Sequence, residues 1–210
     1  MKKVFIAIAL FANLIFSQGY YISKENCISI GTNFGRYSSD YKLGINASYT
    51  FKGMFDLSYT KSTVFTNEKD INYQNEYFIR SYILKGNIFF ISGGVGYFST
   101  YSKIELWKNF PFLIESNDFA YELGLHLSSK IDASNNFVAS IFYRHFHPTF
   151  YFKTPTAKWS ETNLARSIIF DLGFIINLNQ FAFEVGPRVN VEIDRGAPYL
   201  GLNLNLIYKH

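Results

Sequence analysis

The stretch that most constrains this chain is Leu164–Ile193, LARSIIFDLGFIINLNQFAFEVGPRVNVEI, read in steps of two. Ile168, Phe170, Leu172, Phe174 and Ile176 form an apolar row, with Ser167, Asp171 and Gly173 between them and Ile169 and Ile175 breaking the rule. After Asn177–Gln180 the alternation resumes. Phe181, Phe183, Val185, Val189 and Val191 stand against Ala182, Glu184, Gly186, Arg188, Asn190 and Glu192. Successive side chains of a strand point to opposite faces, so this spacing predicts two strands, each with one apolar and one polar face. A short Asn-rich connection between them predicts a hairpin.

The same unit recurs along the chain. Strands are predicted at Cys27–Gly35, Lys42–Phe51, Met54–Ser62, Glu76–Leu84, Ile88–Thr100, Asp118–Ser129, Phe137–His147 and Tyr199–Tyr208, about ten with the opening hairpin. Asp118–Ser129 alternates most cleanly, with Phe119, Tyr121, Leu123, Leu125 and Leu127 against Ala120, Glu122, Gly124, His126 and Ser128. In Glu76–Leu84 the pattern sets Tyr77, Ile79 and Ile83 against Phe78, Arg80, Tyr82 and Leu84. Connections at Lys52-Gly53, Lys85–Asn87, Lys130–Asn136 and Asn177–Gln180 are short. Those at Thr63–Asn75, Tyr101–Asn117 and His147–Asn163 are long. Arg36–Tyr41 and Asp194–Pro198 are also expected as connections. Short and long connections therefore fall at opposite ends of the strands.

Composition decides which alternating fold this is. The chain holds 23 Phe and 16 Tyr, and only 17% of it is charged, against roughly a quarter in ordinary globular domains. Mean hydropathy is +0.01, because apolar residues are interleaved with Gly, Ser, Asn and Thr. A soluble sandwich or barrel turns its apolar face inward and commonly charges the other. Here the polar face carries mostly small residues, which suit the crowded interior of a closed barrel. The apolar face would be an aggregation hazard in water and is stable in lipid. Closure satisfies every backbone group, as a sheet in hydrocarbon requires. Tyr49, Phe51, Phe55, Tyr59, Tyr77, Tyr97, Phe181 and Tyr208 fit interfacial girdles.

Met1–Gly19 reads as a secretory signal peptide: basic Lys2-Lys3, an apolar core Val4–Phe16, and small residues placing cleavage after Ser17 or Gly19. Residues 20–210 are then one exported domain. The net charge of +4 includes these two lysines, and no basic cluster remains to favour nucleic acid. A lone cysteine, Cys27, makes no internal disulfide.

On the signal peptide, the two-residue repeat and the last strand LGLNLNLIYKH, the chain resembles the small outer-membrane β-barrel proteins of Gram-negative bacteria, the OmpA/OmpX-like and related porin-family barrels. The resemblance implies an all-β, closed antiparallel up-and-down transmembrane barrel of about ten strands, with eight as the alternative, short periplasmic turns and longer outer loops. It also implies an outer-membrane location, contact with membrane lipids and lipopolysaccharide, and recognition of the last strand (Leu200, Leu202, Leu204, Leu206, Tyr208) by the barrel-assembly machinery. Lys209-His210 after Tyr208 and the in-strand Pro187 depart from that pattern.

Asp56, Arg80, Glu122, Arg144, Asp171, Glu184, Arg188 and Glu192 are expected on the lumen face. Paired there, opposite charges fill a narrow barrel, since an unpaired buried charge is costly. The functional alternative is a narrow channel for small solutes whose lining charges set selectivity. His126 and Ser128 resemble the His-Ser part of outer-membrane lipid A deacylases, yet parity points both into the lumen, a poor place to meet lipid. His145 and His147 lack a third ligand for a metal site, and no cofactor is expected. Trp107, Phe110, Phe112, Phe150, Tyr151, Phe152 and Trp159 are expected on outer loops as recognition anchors for an unspecified surface ligand. The leading expectation is a non-enzymatic barrel with a structural or surface-interaction role.

Overall fold

A computed structural model describes residues 26–37, 40–65, 71–85, 88–107, 110–194 and 198–210. The predicted signal peptide and part of the Lys85–Asn87 turn lie outside these residues. The described residues form strands joined by turns and bends, with no helix among them.

The strands are β1 (Cys27–Tyr37), β2 (Asp40–Phe51), β3 (Phe55–Phe65), β4 (Ile71–Lys85), β5 (Phe89–Trp107), β6 (Phe110–Lys130), β7 (Asn135–Phe146), β8 (Thr149–Lys153), β9 (Lys158–Thr162), β10 (Ala165–Leu178), β11 (Phe181–Glu192) and β12 (Pro198–Lys209). Ten make a closed antiparallel ring, β2 through β7 followed by β10, β11, β12 and β1. The ends meet where β1 lies along β2, with Ser29 Oγ 2.7 Å from Ser48 Oγ. β1 and β12 run antiparallel from Cys27↔Lys209 to Tyr37↔Tyr199. The ring is thus an up-and-down barrel, and every strand has two neighbours.

Facing follows the period-two pattern. Phe119, Tyr121, Leu123 and Leu125 are exposed on the outside, Phe119 at 66%. Glu122, His126 and Ser128, on the same strand, are buried inside. The described apolar exterior runs about nine residues on β6 (Phe119–Leu127) and on β10 (Ile168–Ile176), close to what a tilted strand needs to cross a bilayer. At the short-turn end Cys27, Val138, Ile175, Ala182 and Ile207 close the lumen with an apolar floor. Phe78, Phe98 and Ala120, with Phe146 against them, form a second apolar layer higher up.

The turns at the floor end explain themselves. Lys52 and Gly53 both have positive φ, 48° and 59°, the two-residue turn whose twist matches a hairpin. Asp132 folds the β6–β7 turn by accepting from the Ser134 and Asn135 amides at 2.7 and 2.9 Å. Pro187 sits on the outer face of β11, where the β10–β11 pairing skips from Asp171↔Arg188 to Phe174↔Val185. The missing proline N–H therefore falls in an interruption of the ladder. A β-carbon on adjacent Gly186 would come 2.9 Å from Gly173 Cα, so the two backbones approach too closely for any side chain there.

Five expectations need correction. Tyr101–Asn117 is not a loop: β5 and β6 pair continuously up to Glu105↔Pro111, beyond the ring. Within His147–Asn163 the chain forms the β8–β9 hairpin, and β8 pairs with β6 from Asn117↔Thr149 to Leu113↔Lys153, taking over the place that β7 leaves at Phe146. Thr63–Asn75 contributes the outer ends of β3 and β4, and Arg36–Tyr41 is mostly strand. These segments mix polar, aromatic and aliphatic residues, so no consistently apolar face marks them as strand in the sequence. A ladder in water needs only its backbone bonds and one supporting face. Leu84 also departs: a bulge between Tyr82 and Leu84 turns Leu84 outward, leaving both it and Ile83 exposed.

Candidate functional site

Mid-lumen, β3, β4, β6 and β7 each contribute an inward charge. Arg80 is hydrogen-bonded by its Nε to Glu122 and by Nη1 to Asp56 Oδ2 and Ser58 Oγ, both at 3.2 Å. Thr50 Oγ1 donates to the other Asp56 oxygen at 3.1 Å. The second Glu122 oxygen accepts from Arg144 Nε at 2.6 Å, and Arg144 Nη1 reaches Glu76 Oε2 at 3.1 Å. One chain of ion pairs, Asp56–Arg80–Glu122–Arg144–Glu76, crosses the barrel. Aromatic faces brace it: the Arg144 guanidinium lies 4.4 Å from the Phe78 ring, and Arg80 lies 4.9 Å from the same ring.

A second group stands on β10–β12. Arg188 grips both oxygens of Asp171, with Nε to Oδ1 at 2.5 Å, and Asn203 Nδ2 adds a contact at 3.3 Å. Glu184 accepts from Asn205 Nδ2 at 2.7 Å. Glu192, at the outer end of β11, is half-buried and lies in the field of Lys42. Between the two groups Lys42, Glu76, Arg144, Arg188, Asn33, Asn190 and Tyr199 line a cavity of about 40 Å³. That is room for one or two water molecules. Asn33 Nδ2 and Asn190 Oδ1 have no protein partner, as expected of atoms that water solvates.

Glu76 and Lys42 escaped the sequence reading. Glu76 shares its parity with Phe78 and Arg80, so extending the alternation one step would have found it. Lys42 opens the predicted strand Lys42–Phe51, whose alternation assigns faces only from Leu43 onward.

His126 is buried, with Nε2 2.8 Å from Ser92 Oγ and Nδ1 2.8 Å from Ser140 Oγ. Both ring nitrogens are thus engaged by serines of neighbouring strands, while Ser128 lies two residues on along the same inward face. The arrangement is a buried polar clasp between β5, β6 and β7. His145 and His147 are in ring contact, centroids 4.8 Å apart. No group of three metal-ligating side chains occurs among the described residues.

The aromatic residues expected on loops stand on strands instead. Trp107 and Phe110 end β5 and begin β6, Phe112 follows on β6, Phe150, Tyr151 and Phe152 are on β8, and Trp159 is on β9. Directly paired residues share a face, so Ile104↔Phe112, Ile114↔Phe152 and Phe152↔Trp159 fall on the face continuous with the lumen. The Phe112, Phe152 and Trp159 rings cluster there, with Phe152 and Trp159 stacked at 5.2 Å. Tyr151 points to the opposite face, toward Glu115 and its 2.5 Å bond from Lys153. An upright wall of β5, β6, β8 and β9 thus stands on one side of the barrel mouth, ringed with aromatics on its inner surface.

No family model matches the sequence, and no curated protein does either. Solved structures do. The outer-membrane protease OmpT of Escherichia coli aligns over 94% of this chain and 99% of its own at 10% identity, with a TM-score of 0.55. The translocator domain of the autotransporter NalP from Neisseria meningitidis aligns over 88% of each chain at 9% identity and TM-score 0.49. The N-terminal β-barrel domain of Pseudomonas aeruginosa OprF covers 88% of this chain and 98% of its own at 8% identity and TM-score 0.39. Identity at this level speaks to architecture alone. The protein has the fold of the outer-membrane β-barrels, a closed ten-stranded antiparallel ring with two further strands outside it.

Proposed function

We propose that this protein is an integral outer-membrane barrel of a Gram-negative bacterium, exported through a cleaved signal peptide, with a lumen filled by its own side chains and a structural or surface-interaction role. The observation that carries the reading is the inverted polarity of the ring. Its outside is a continuous apolar surface, and its inside holds the Asp56–Arg80–Glu122–Arg144–Glu76 chain. A soluble barrel could not leave that exterior in water, and a bilayer accepts it. The plug argues against an open pore, because side chains from four strands meet across the middle. The last strand, with Leu200, Leu202, Leu206 and Tyr208 exposed on the outside, supplies the edge for the assembly machinery. The aromatic wall above the mouth is the surface available for recognition.

Purified full-length protein in detergent tests the reading by its gel mobility before and after boiling, by far-ultraviolet circular dichroism, and by planar-bilayer recording. A heat-modifiable band, a β spectrum and no resolved conductance steps are expected. A protein that stays soluble without detergent and does not shift on boiling overturns the membrane reading. Regular conductance steps overturn the filled lumen.

A further inference from the structure

Two histidines stand side by side on the outside of the barrel near its mouth. His145 is next to last in β7 and half-buried, and His147 follows the last residue of that strand and is exposed. Two residues apart, they share a face with Tyr143. Their rings touch, with centroids 4.8 Å apart and an interplanar angle of 72°. The strand pairing sets His145 between Tyr121 on β6 and Arg166 on β10. The Asp118 carboxylate accepts a hydrogen bond from the His147 main-chain N–H, which fixes the chain where it leaves β7.

These imidazoles differ from that of His126, whose two nitrogens are both taken by serines. Among the described residues nothing hydrogen-bonds to a ring nitrogen of His145 or His147. Two accessible imidazoles with unengaged nitrogens are a ready pair of metal ligands. Their separation fits one shared ion. A zinc-class ion sits about 2.1 Å from an imidazole nitrogen, and so about 3.2 Å from the ring centre. Centroids 4.8 Å apart then subtend about 97° at the ion. That lies between the right angle of a square-planar site and the tetrahedral angle. The cation beside the pair, Arg166, is neutralised by Asp194, whose Oδ1 accepts from Nη2 and whose Oδ2 accepts from the Arg166 main-chain amide, both at 2.7 Å. Asp194 also lies near enough to His145 for their charges to interact. A carboxylate therefore flanks each histidine, Asp118 at one and Asp194 at the other, and both favour a bound dication.

We infer that His145 and His147 bind a first-row transition-metal dication on the outside of the barrel near its mouth, with copper(II) held tightest. The chain supplies two nitrogen ligands and water completes the coordination, in keeping with a set of two ligating side chains and not three. Imidazole selects copper, nickel and zinc over the hard cations magnesium and calcium, which prefer oxygen, and copper(II) heads the series for a nitrogen site. The site lies outside the lumen, so it is independent of the plug and goes beyond the role proposed above.

The experiment is copper(II) titration of the tag-free full-length barrel in neutral detergent, followed by calorimetry and by electron paramagnetic resonance. One copper(II) per barrel with the hyperfine signature of two nitrogen ligands is expected, undisturbed by a large excess of magnesium or calcium. His147→Gln and His145→Gln should each weaken binding by more than about tenfold, since even a ligand's supporting partner is worth about ten- to a hundredfold in metal affinity. His210→Gln, at the opposite end of the barrel, should leave binding unchanged. A double variant, His145→Gln with His147→Gln, that still shifts on boiling and binds copper(II) like the parent overturns the inference. So does a one-nitrogen signature in the unaltered protein. Displacement of the copper by calcium would mark a carboxylate site and overturn it too.

Discussion

Glu122 accepts from two guanidinium groups at once, Arg80 on both oxygens and Arg144 on Oε2, with almost no exposure to solvent. Neutralising it leaves two buried cations sharing Asp56 and Glu76. Removing one member of a buried ionic set costs about 3–5 kcal/mol, so Glu122→Gln should lower the urea unfolding stability of the refolded barrel by about 3 kcal/mol. The unboiled gel band reads the folded fraction. Asp171 and Arg188 permit the complementary test. Each single replacement, Asp171→Leu or Arg188→Met, strands a charge, whereas the double replacement removes both and fills their volume. The double variant should be more stable than either single one. Legibility at this scale was uneven. Parity placed Arg80, Glu122 and Asp171 on one face and extends to Glu76, yet it does not say which partner each of these charges meets.

Hairpins are the elements that carry the design. At the floor end Lys52 holds a left-handed conformation at φ 48°, which a side chain with a β-carbon adopts reluctantly and Asn tolerates best. Lys52→Asn should therefore stabilise the barrel by roughly 0.5 kcal/mol, read from the same unfolding midpoint. Asp132 caps the next floor turn. The side-chain bond from Asn135 and the Ser134 amide hold its carboxyl below the usual carboxylate range. A depressed folded value means the cap stabilises above the ordinary carboxylate pKa and is lost as pH falls through the folded value. The unfolding midpoints of the parent and Asp132→Asn should accordingly converge as pH is lowered through that region, and a gap that persists in acid would refute the assignment. At the other end β8 and β9 add to the outer wall without belonging to the ring. Deleting residues 149–162 with a short Gly-Ser bridge should leave a heat-modifiable barrel, because the ring pairs β7 with β10 directly.

For the molecule as a whole, the filled lumen makes conductance the discriminating property. The unaltered protein should show no resolved steps in planar bilayers. Removing both guanidinium groups that cross the middle, by Arg80→Ala with Arg144→Ala, should open a path through the space they vacate and give cation-favouring steps, since Asp56, Glu76 and Glu122 would remain. Steps in the parent and none in the variant would invert the reading of the plug.

Period-two alternation determined the strands of the ring, their facing and the floor turns. It could do so because each ring strand has one face on the packed lumen and one on the barrel's outside, and each residue records which of the two it meets. Only the tertiary structure decided two other things. The first is where strands continue beyond the ring: Tyr101–Trp107 and Thr149–Lys153 mix polar and apolar residues without one consistently apolar face. The second is which inward polar groups meet. Arg144 finds Glu76 across 68 residues and Tyr199 finds Asn33 across 166. Ring closure and the stagger of tilted strands set those partners, and no local pattern in the chain encodes them.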